Sequence, residues 1–413
     1  MTKTSHPHCR HCGASLELTL VDLGLSPLAN SYVPPDTRDS TDPAYPLHAR
    51  VCTDCWLVQV DDAVPPEDIF SAEYAYFSSF SDSWLAHCKA YVADMTRRFG
   101  LGPDSLVVEI ASNDGYLLQY FVERDIPVLG IEPSGNTAKI AEEKGVPTLV
   151  EFFGETLAQR LASEGRRPDL IASANVLAHV PDINDFVAGV ATLLSDDAVY
   201  TVEFPHLLNL IKDVQFDTIY HEHYSYLSLL AVETIFAKAG LRVFDVEELP
   251  THGGSLRVFA CLKGASHAEG PGLAKVRADE AAAQLDQPEG YLNFTTKVEQ
   301  LRDGLLAFLR TAKAEGKTVA AYGAAAKGNT LLNYAGIGPD LIAYCVDRNP
   351  AKQNTLLPGS HIPVYPVDAL RVDPPDYVLI LPWNIRKEVI GQLSDIRAQG
   401  TRCVTAVPDI KVG

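Results

Sequence analysis

No apolar run in this 413-residue sequence approaches the ~20 residues needed to cross a bilayer, so no membrane partner is expected. The opening residues, MTKTSHPHCRHC, contain no apolar segment of the kind a secretory signal needs, and the cytoplasm is the expected compartment. A basic tract is also missing: 34 Lys and Arg face 53 Asp and Glu, a formal net charge of −19. A nucleic-acid partner requires cations that neutralise phosphates, so that class, RNA methylation guided by a zinc unit included, is disfavoured. A small anionic ligand is still open, because one glycine-rich loop and one lysine can hold it. There is neither a G-x-G-x-x-G dinucleotide fingerprint nor a Walker A sequence. Of the eight cysteines, four form two C-x-x-C pairs, Cys9/Cys12 and Cys52/Cys55, and the rest are scattered singly. In a chain without a secretory signal that is a metal pattern and not a disulfide framework.

What is present centres on LVVEIASNDGYLLQYFVERDIPVLGIEPS, residues 106–134. It reads as a buried strand, a polar turn (Ser112-Asn113-Asp114-Gly115), a helix over 116–124 and a second buried strand ending on Glu132. That is the opening βαβ of a doubly wound sheet, with a ligand crevice at the carboxyl ends of its strands. Gly115 lets the backbone pass close to a ligand, and an acid ending the second strand suits ribose hydroxyls. Glu109 on the first strand, a single glycine in the turn and Glu132 together suit S-adenosylmethionine (SAM) better than a dinucleotide.

Around this unit the chain divides into five stretches. Residues 1–66 carry the C-x-x-C pairs, whose four thiolates can close a tetrahedral zinc shell; His6, His8 and His11 crowd the first pair, so a histidine in place of one thiolate stays open. A closed shell leaves no position for water, so the zinc is assigned a structural role. Residues 67–100 are dense in aromatics, among them Tyr74 and Tyr76, and continue into an amphipathic helix; they read either as a linker packing its aromatics on the next domain or as a lid with a tyrosine turned inward. Residues 101–262 complete the doubly wound domain. Asn175 and His179 fall beyond a strand's carboxyl end, and LRVFDVEEL with SLRVFACLK forms a closing antiparallel pair of the sort methyltransferases use. Residues 263–300 read as a polar helical connector. Residues 301–413 form a smaller α/β unit in which Gly323 and Gly328 flank Lys327, ahead of Asn329 and Thr330 at a helix start, an arrangement that favours a phosphate.

Between strands lies FDTIYHEHYSYLS, which places Tyr220, His221, Glu222, His223 and Tyr224 in succession. H-E-H is too short for the two-histidine zinc geometry of H-E-x-x-H, and on a loop the cluster suits proton transfer instead.

With those pieces in order the chain resembles the zinc-containing, SAM-dependent C-methyltransferases of dTDP-deoxysugar biosynthesis, of the C-3′ type that makes branched antibiotic sugars. The resemblance spans nearly the whole chain and rests on the paired C-x-x-C, EYAYFSSFSDSW, EIASNDGYLL with GIEPS, YHEHYSYLS, THGGSLRVF and YGAAAKGNT. It implies a small zinc-binding N-terminal domain, a central class I SAM-methyltransferase domain and a Rossmann-like C-terminal α/β domain. It implies that Glu109, Ser112, Asn113, Asp114 and Gly115 line the methionine part of SAM, Glu132 its ribose, and Asn175 the cofactor's edge. Gly323, Lys327, Asn329 and Thr330 would serve the nucleotide end of a dTDP-linked keto sugar. It further implies His223 as the base, Tyr220 and His179 as oxyanion donors, Glu222 as the group orienting the base, and Tyr74 or Tyr76 facing the sugar. A monomer is expected. Two other classes fit parts of the chain: an NDP-sugar oxidoreductase using the C-terminal sheet, and a zinc-anchored nucleotide-sugar binding module without chemistry.

Overall fold

The structure is a computed structural model that describes residues 7–37, 41–61, 64 and 77–413. Among these residues the strands form three sheets, and no helix is long and apolar enough to cross a membrane.

The first sheet is antiparallel and built from β1 (Leu18–Ser26), β2 (Tyr45–Val51) and β3 (Val58–Val60). The central sheet contains β4 (Val107–Ile110), β5 (Val128–Ile131), β6 (Thr148–Leu149), β7 (Leu170–Ala174) and β8 (Val199–Pro205), all parallel. The chain then leaves it: β9 (Ser225–Tyr226) pairs with β3 of the first sheet. It returns as β10 (Leu241–Leu249) and β11 (Ser255–Leu262), an antiparallel hairpin that docks on β8. The order is β6-β5-β4-β7-β8-β11-β10, so strand direction of travel reverses between β4 and β7, where a doubly wound sheet opens its ligand crevice. The short Val/Ile-rich runs VVEI and VLGI are buried along almost their whole length, as strands covered on both faces must be.

The third sheet holds β12 (Val319–Tyr322), β13 (Cys345–Asp347), β14 (Val364–Pro366), β15 (Tyr377–Ile380) and β16 (Arg402–Thr405), parallel, with β17 (Lys411–Val412) antiparallel at the edge. The 21-residue helix Phe294–Ala314 places Phe294, Val298, Leu301, Leu305 and Leu309 on one stripe. That stripe joins Leu20, Leu47 and Val58 of the first sheet to Ala321 and Leu379 of the third in one apolar core. The first sheet therefore shares its core with the C-terminal sheet, whereas Cys9, Cys52 and Cys55 pack in the core of the central sheet.

Two elements differ from the sequence reading. The helix expected over 116–124 is regular only at Gln119–Val122, because the chain leaving the polar turn first winds through i→i+3 bonds such as Tyr120 N to Leu117 O. The stretch read as a connector is packed structure. Helix Pro271–Ala282 lies on the central sheet, and its Glu280, 3% exposed, accepts from Leu229 N (2.6 Å), Leu230 N (2.9 Å) and His206 Nε2 (2.7 Å). It thus caps the N-terminus of helix Leu229–Lys238 from another helix, satisfying amides that have no partner within their own helix. Glu280→Ala leaves those amides and a buried imidazole unpaired, and should cost about 2–4 kcal/mol. A fall of several degrees in the thermal unfolding midpoint is expected; Lys275→Ala, in an exposed pair with Asp279, serves as the near-neutral control.

Candidate active site

The polar turn after β4 departs from ordinary backbone at Ala111 (φ 59°) and Asn113 (φ 47°), which swing the chain across the end of β5. Glu132 fixes that turn: Oε2 accepts from Asn113 N and Oε1 from Ser134 N, both at 2.9 Å. Glu109, beneath it, is completely buried. Burial, and then the like charges of Asp114 and Glu132, push its carboxyl well above the ordinary range. Asp114 is held by Lys144, whose Nζ lies 3.4 Å from Oδ2 and 2.7 Å from the Asp114 carbonyl. Asn113 Oδ1 accepts from Ser78 N at 2.9 Å, tying the end of the aromatic stretch to the turn. Asn113 and Glu132 line a cavity of about 700 Å³; Glu109, Ser112, Asp114 and Gly115 do not, and build the turn from behind. At Gly115 (φ +73°) a Cβ would sit 3.2 Å from Ala141, so the turn needs a glycine there.

Asn175, at the carboxyl end of β7, also lines the cavity and has φ 57°. The sequence reading missed Phe152 and Phe153, which follow β6 at the same edge; Phe152 is 65% exposed at the cavity wall. Their place after the third strand in chain order was the signal available. Carboxylate, left-handed amide turn and flanking aromatic are the donor set an adenosyl ligand requires, and the unpartnered Asn175 Oδ1 offers it an acceptor.

The Y-H-E-H-Y loop forms the opposite wall. His223 Nδ1 lies 2.8 Å from the Thr218 carbonyl, which can only accept, so Nδ1 carries the proton. Nε2 then accepts from the Tyr220 hydroxyl at 2.8 Å. His179 stands beside them, its ring 4.6 Å from that of His223. Burial holds the imidazole of His223 well below its usual pKa, reinforced by His179, and lowers His179 to about 4. Two sequence expectations change here. Glu222 does not orient His223: successive side chains diverge, its carboxylate accepts from Asn30 Nδ2 at 2.6 Å, and the Thr218 carbonyl does the orienting. His179 hydrogen-bonds the Glu222 backbone carbonyl; as a neutral ring it gives its one N–H there, and the second nitrogen can only accept, so it is not an oxyanion donor. Tyr74 and Tyr76 lie outside the described residues.

From the third sheet, Lys327 reaches the cavity, its Nζ 2.8 Å from Asn384 Oδ1 and 4.7 Å from the Trp383 ring centroid. Lys352, missed from the sequence, joins it there. Burial lowers both ammonium groups from their ordinary range. Asn329 and Thr330 do not line the cavity. Their side chains donate to the Ala29 carbonyl (2.6 Å) and the Ile219 carbonyl (3.0 Å), fastening this helix to the first sheet's loop and to the reactive loop. Gly323 (φ +89°) packs against Pro382.

The sulfurs of Cys9, Cys12, Cys52 and Cys55 lie within 4.8 Å of one another. Tetrahedral zinc with ~2.3 Å bonds sets sulfurs about 3.8 Å apart, so the four fit one ion. His8 Nδ1 bonds the Gly13 carbonyl (3.1 Å) and His11 Nδ1 bonds Asn184 Oδ1 (2.7 Å), leaving the four-sulfur set to the cysteines; His6 lies outside the described residues.

Fold, donor cradle and sulfur cluster define a class I SAM-dependent methyltransferase with a zinc-binding domain. Residues 84–246 match the family model of a methyltransferase domain, residues 9–70 that of a zinc binding domain, and residues 250–408 that of a C-methyltransferase C-terminal domain. The C-methyltransferase NovU of Streptomyces niveus is 35% identical over 404 residues, covering 98% of this chain and 96% of that one. The ubiquinone biosynthesis O-methyltransferase of Bartonella quintana is 25% identical over 97 residues, 23% of this chain and 39% of that one. Among solved structures, SAM-bound magnesium protoporphyrin IX methyltransferase from Synechocystis PCC 6803 aligns with 43% of this chain and 79% of its own, at 16% identity and a TM-score of 0.34. The chain belongs to the C-methyltransferase family to which NovU belongs: a SAM-dependent enzyme that binds zinc and acts on a small molecule.

Two outcomes follow from this geometry. Zinc removal should unseat the reactive loop through β3 and β9 while sparing the donor cradle. Cys52→Ser, or chelation monitored by zinc release, should lower turnover at least tenfold with SAM affinity changed less than threefold. The second concerns Glu222, which burial pushes up to about 7. Because the folded pKa lies above the unfolded value near 4.5, its contribution is fully present below pH ~4.5 and is lost as pH rises through 7, up to about 3 kcal/mol. Glu222→Gln should therefore raise the unfolding midpoint more at pH 8 than at pH 5; an equal shift at both would contradict the buried carboxylate.

Proposed function

We propose that the protein transfers a methyl group from SAM to the carbon beside the ketone of a dTDP-linked 4-keto-deoxysugar, at C-3, through an enolate, acting as a cytoplasmic monomer in deoxysugar biosynthesis. The observation that carries this reading is the Thr218–His223–Tyr220 relay: a neutral imidazole with its proton fixed on Nδ1 and a phenol on Nε2, at the wall of a cavity shared with the donor cradle.

A carbon-bound proton next to a ketone is acidic because its loss gives an enolate. His223 Nε2 supplies the lone pair that takes it, and burial keeps the ring neutral and ready. For this the Tyr220 hydroxyl must leave Nε2; turned to the ketone oxygen, it donates to the charge that develops there. The resulting imidazolium is steadied by the Thr218 carbonyl at Nδ1. SAM, when bound, supplies an electrophilic methyl for the enolate carbon. Asn113, Glu132 and Asn175 would hold it, with Glu132 at its ribose and Phe152 and Phe153 beside the adenine. Lys327 and Lys352 are the cations that suit the diphosphate of the nucleotide, and holding both reactants in one cavity removes much of the entropic barrier. A carbonyl substrate with a charged tail thus meets a base, a donor and two lysines. NovU carries the name C-methyltransferase, which favours carbon over oxygen as the acceptor.

The test is incubation of a dTDP-4-keto-6-deoxysugar with the protein and methyl-labelled SAM in deuterated water. Mass spectrometry should show the label on carbon and deuterium exchange beside the ketone, and NMR should place the methyl at C-3. His223→Asn should abolish both transfer and exchange with SAM affinity near that of the wild type. Full turnover in that variant would remove His223 as the base, and absence of transfer from the wild type to any keto sugar would remove the substrate class.

A further inference from the structure

We propose that His252 is a positioning residue for the methyl donor: it holds the side-chain amide of Asn175 so that the carbonyl oxygen, and not the NH2, is presented to the donor's positive charge. The inference rests on Asn175 being a donor-binding residue, and concerns a residue of the THGG turn to which the reaction above gives no part.

Asn175 Nδ2 lies 3.2 Å from His252 Nε2. An amide nitrogen can only donate, so Nε2 accepts and the imidazole proton sits on Nδ1. With Nδ2 engaged in this way, Asn175 Oδ1 is buried without a hydrogen-bond partner in a residue that lines the cavity. A buried carbonyl oxygen left unpaired is costly unless a ligand pairs with it. A cation answers that oxygen, whereas the reverse amide orientation would set N–H groups against the cation.

His252 is itself held firmly. It has φ 54° inside the turn Thr251–Gly253, closed by Gly254 N to the Thr251 carbonyl at 2.9 Å. Gln215 Nε2 donates to the Gly253 carbonyl at 2.8 Å. A Cβ at Gly253 would lie 2.5 Å from the Trp383 ring, so the turn is pressed against the C-terminal unit. On its other side the His252 ring meets Trp84 edge-on at 5.5 Å, and Trp84 stacks on His87 at 4.9 Å. His87 Nε2 lies 2.8 Å from Glu203 Oε2, and the Glu203 carbonyl accepts from Asn175 N at 2.8 Å. Backbone and side chain of Asn175 are therefore fixed by one closed ring of contacts. Burial lowers His252 to about 4, with Lys327 adding to the effect, so the ring remains a neutral acceptor in use.

The test is calorimetric SAM binding to the full-length, zinc-loaded protein as wild type, Asn175→Ala, His252→Ala, His252→Gln and the double alanine variant. His252→Ala should weaken SAM about five- to tenfold, the size of one hydrogen bond. His252→Gln places an acceptor near the Nε2 position and should recover affinity to within about twofold of the wild type. Because His252 acts through Asn175, the double variant should bind no more than about twofold weaker than Asn175→Ala alone. Losses that multiply in the double variant, a Gln variant as weak as the Ala variant, or unchanged affinity in His252→Ala beside a weakened Asn175→Ala would each overturn the role of His252. Unchanged affinity in Asn175→Ala would remove the donor-site reading of that residue and the inference with it, leaving the His223 chemistry untouched.

Discussion

The reactive loop hangs on a two-residue antiparallel ladder, Val58 with Tyr226 and Gln59 with Ser225. Val58–Val60 begins three residues after Cys55, and Gln59 also donates to Cys9 Sγ at 3.2 Å. Zinc therefore acts at a distance of a few residues from the strand that holds the loop, although it touches no reacting group. A segment this short cannot stay in register by its own hydrogen bonds. Immediately after it, Leu207 N donates to the Leu227 carbonyl at 2.9 Å, bringing this short strand against the central sheet. The loop from Tyr220 to Tyr224 runs from the Ile219 carbonyl, held by the Thr330 hydroxyl at 3.0 Å, to this ladder.

The central and third sheets use one device with opposite results. Glu132 ends β5 by accepting from an amide of the first turn and from the amide two residues on; Asp347 ends β13 in the same manner, through Ala324 N (2.7 Å) and Asn349 N (2.7 Å). In the central sheet the space above the acid opens into the cavity. In the third sheet the Tyr32 hydroxyl (2.5 Å) and Lys352 Nζ (2.7 Å) both donate to the Ala324 carbonyl, and Pro382 packs against Gly323. The Ala324 carbonyl is thus engaged by side chains of the protein, while Ala325, Ala326, Lys327 and Lys352 face the cavity shared with the central sheet. The oxidoreductase reading of that sheet is set aside by the family assignment.

The elements that repeat a pattern were legible in the sequence. Runs such as VVEI and VYTVEFP, the closing hairpin and the paired C-x-x-C announce themselves through periodicity and spacing. Polar residues were not so easily placed. Asn329 and Thr330 look like phosphate ligands at a helix start, yet they bond carbonyls of other units, and no local signal distinguishes the two uses. Every residue carries a backbone carbonyl, so nothing in the sequence singled out Thr218 as the group that orients His223 in place of Glu222. Lys352, Asn30 and His252 come to the cavity from three separate loops, and only the packing of the sheets brings them together.

Four of the ten non-glycine residues with left-handed φ among those described line the cavity. Ala111, Asn113, Asn175 and His252 all hold left-handed φ values, each at a cost of about 1 kcal/mol or more for a residue with a side chain. Glycine would relieve each of them, but it would also free the backbone and delete the polar group at three of the four positions. Asn175 and His252 need their side chains on opposite ends of one hydrogen bond, and Asn113 uses its amide to take Ser78 N. Strain of this kind persists because surrounding contacts over-determine it: Glu132 at one turn, Glu203 at another, Trp383 at the third. The donor cradle is consequently held in its strained shape by contacts within the protein itself.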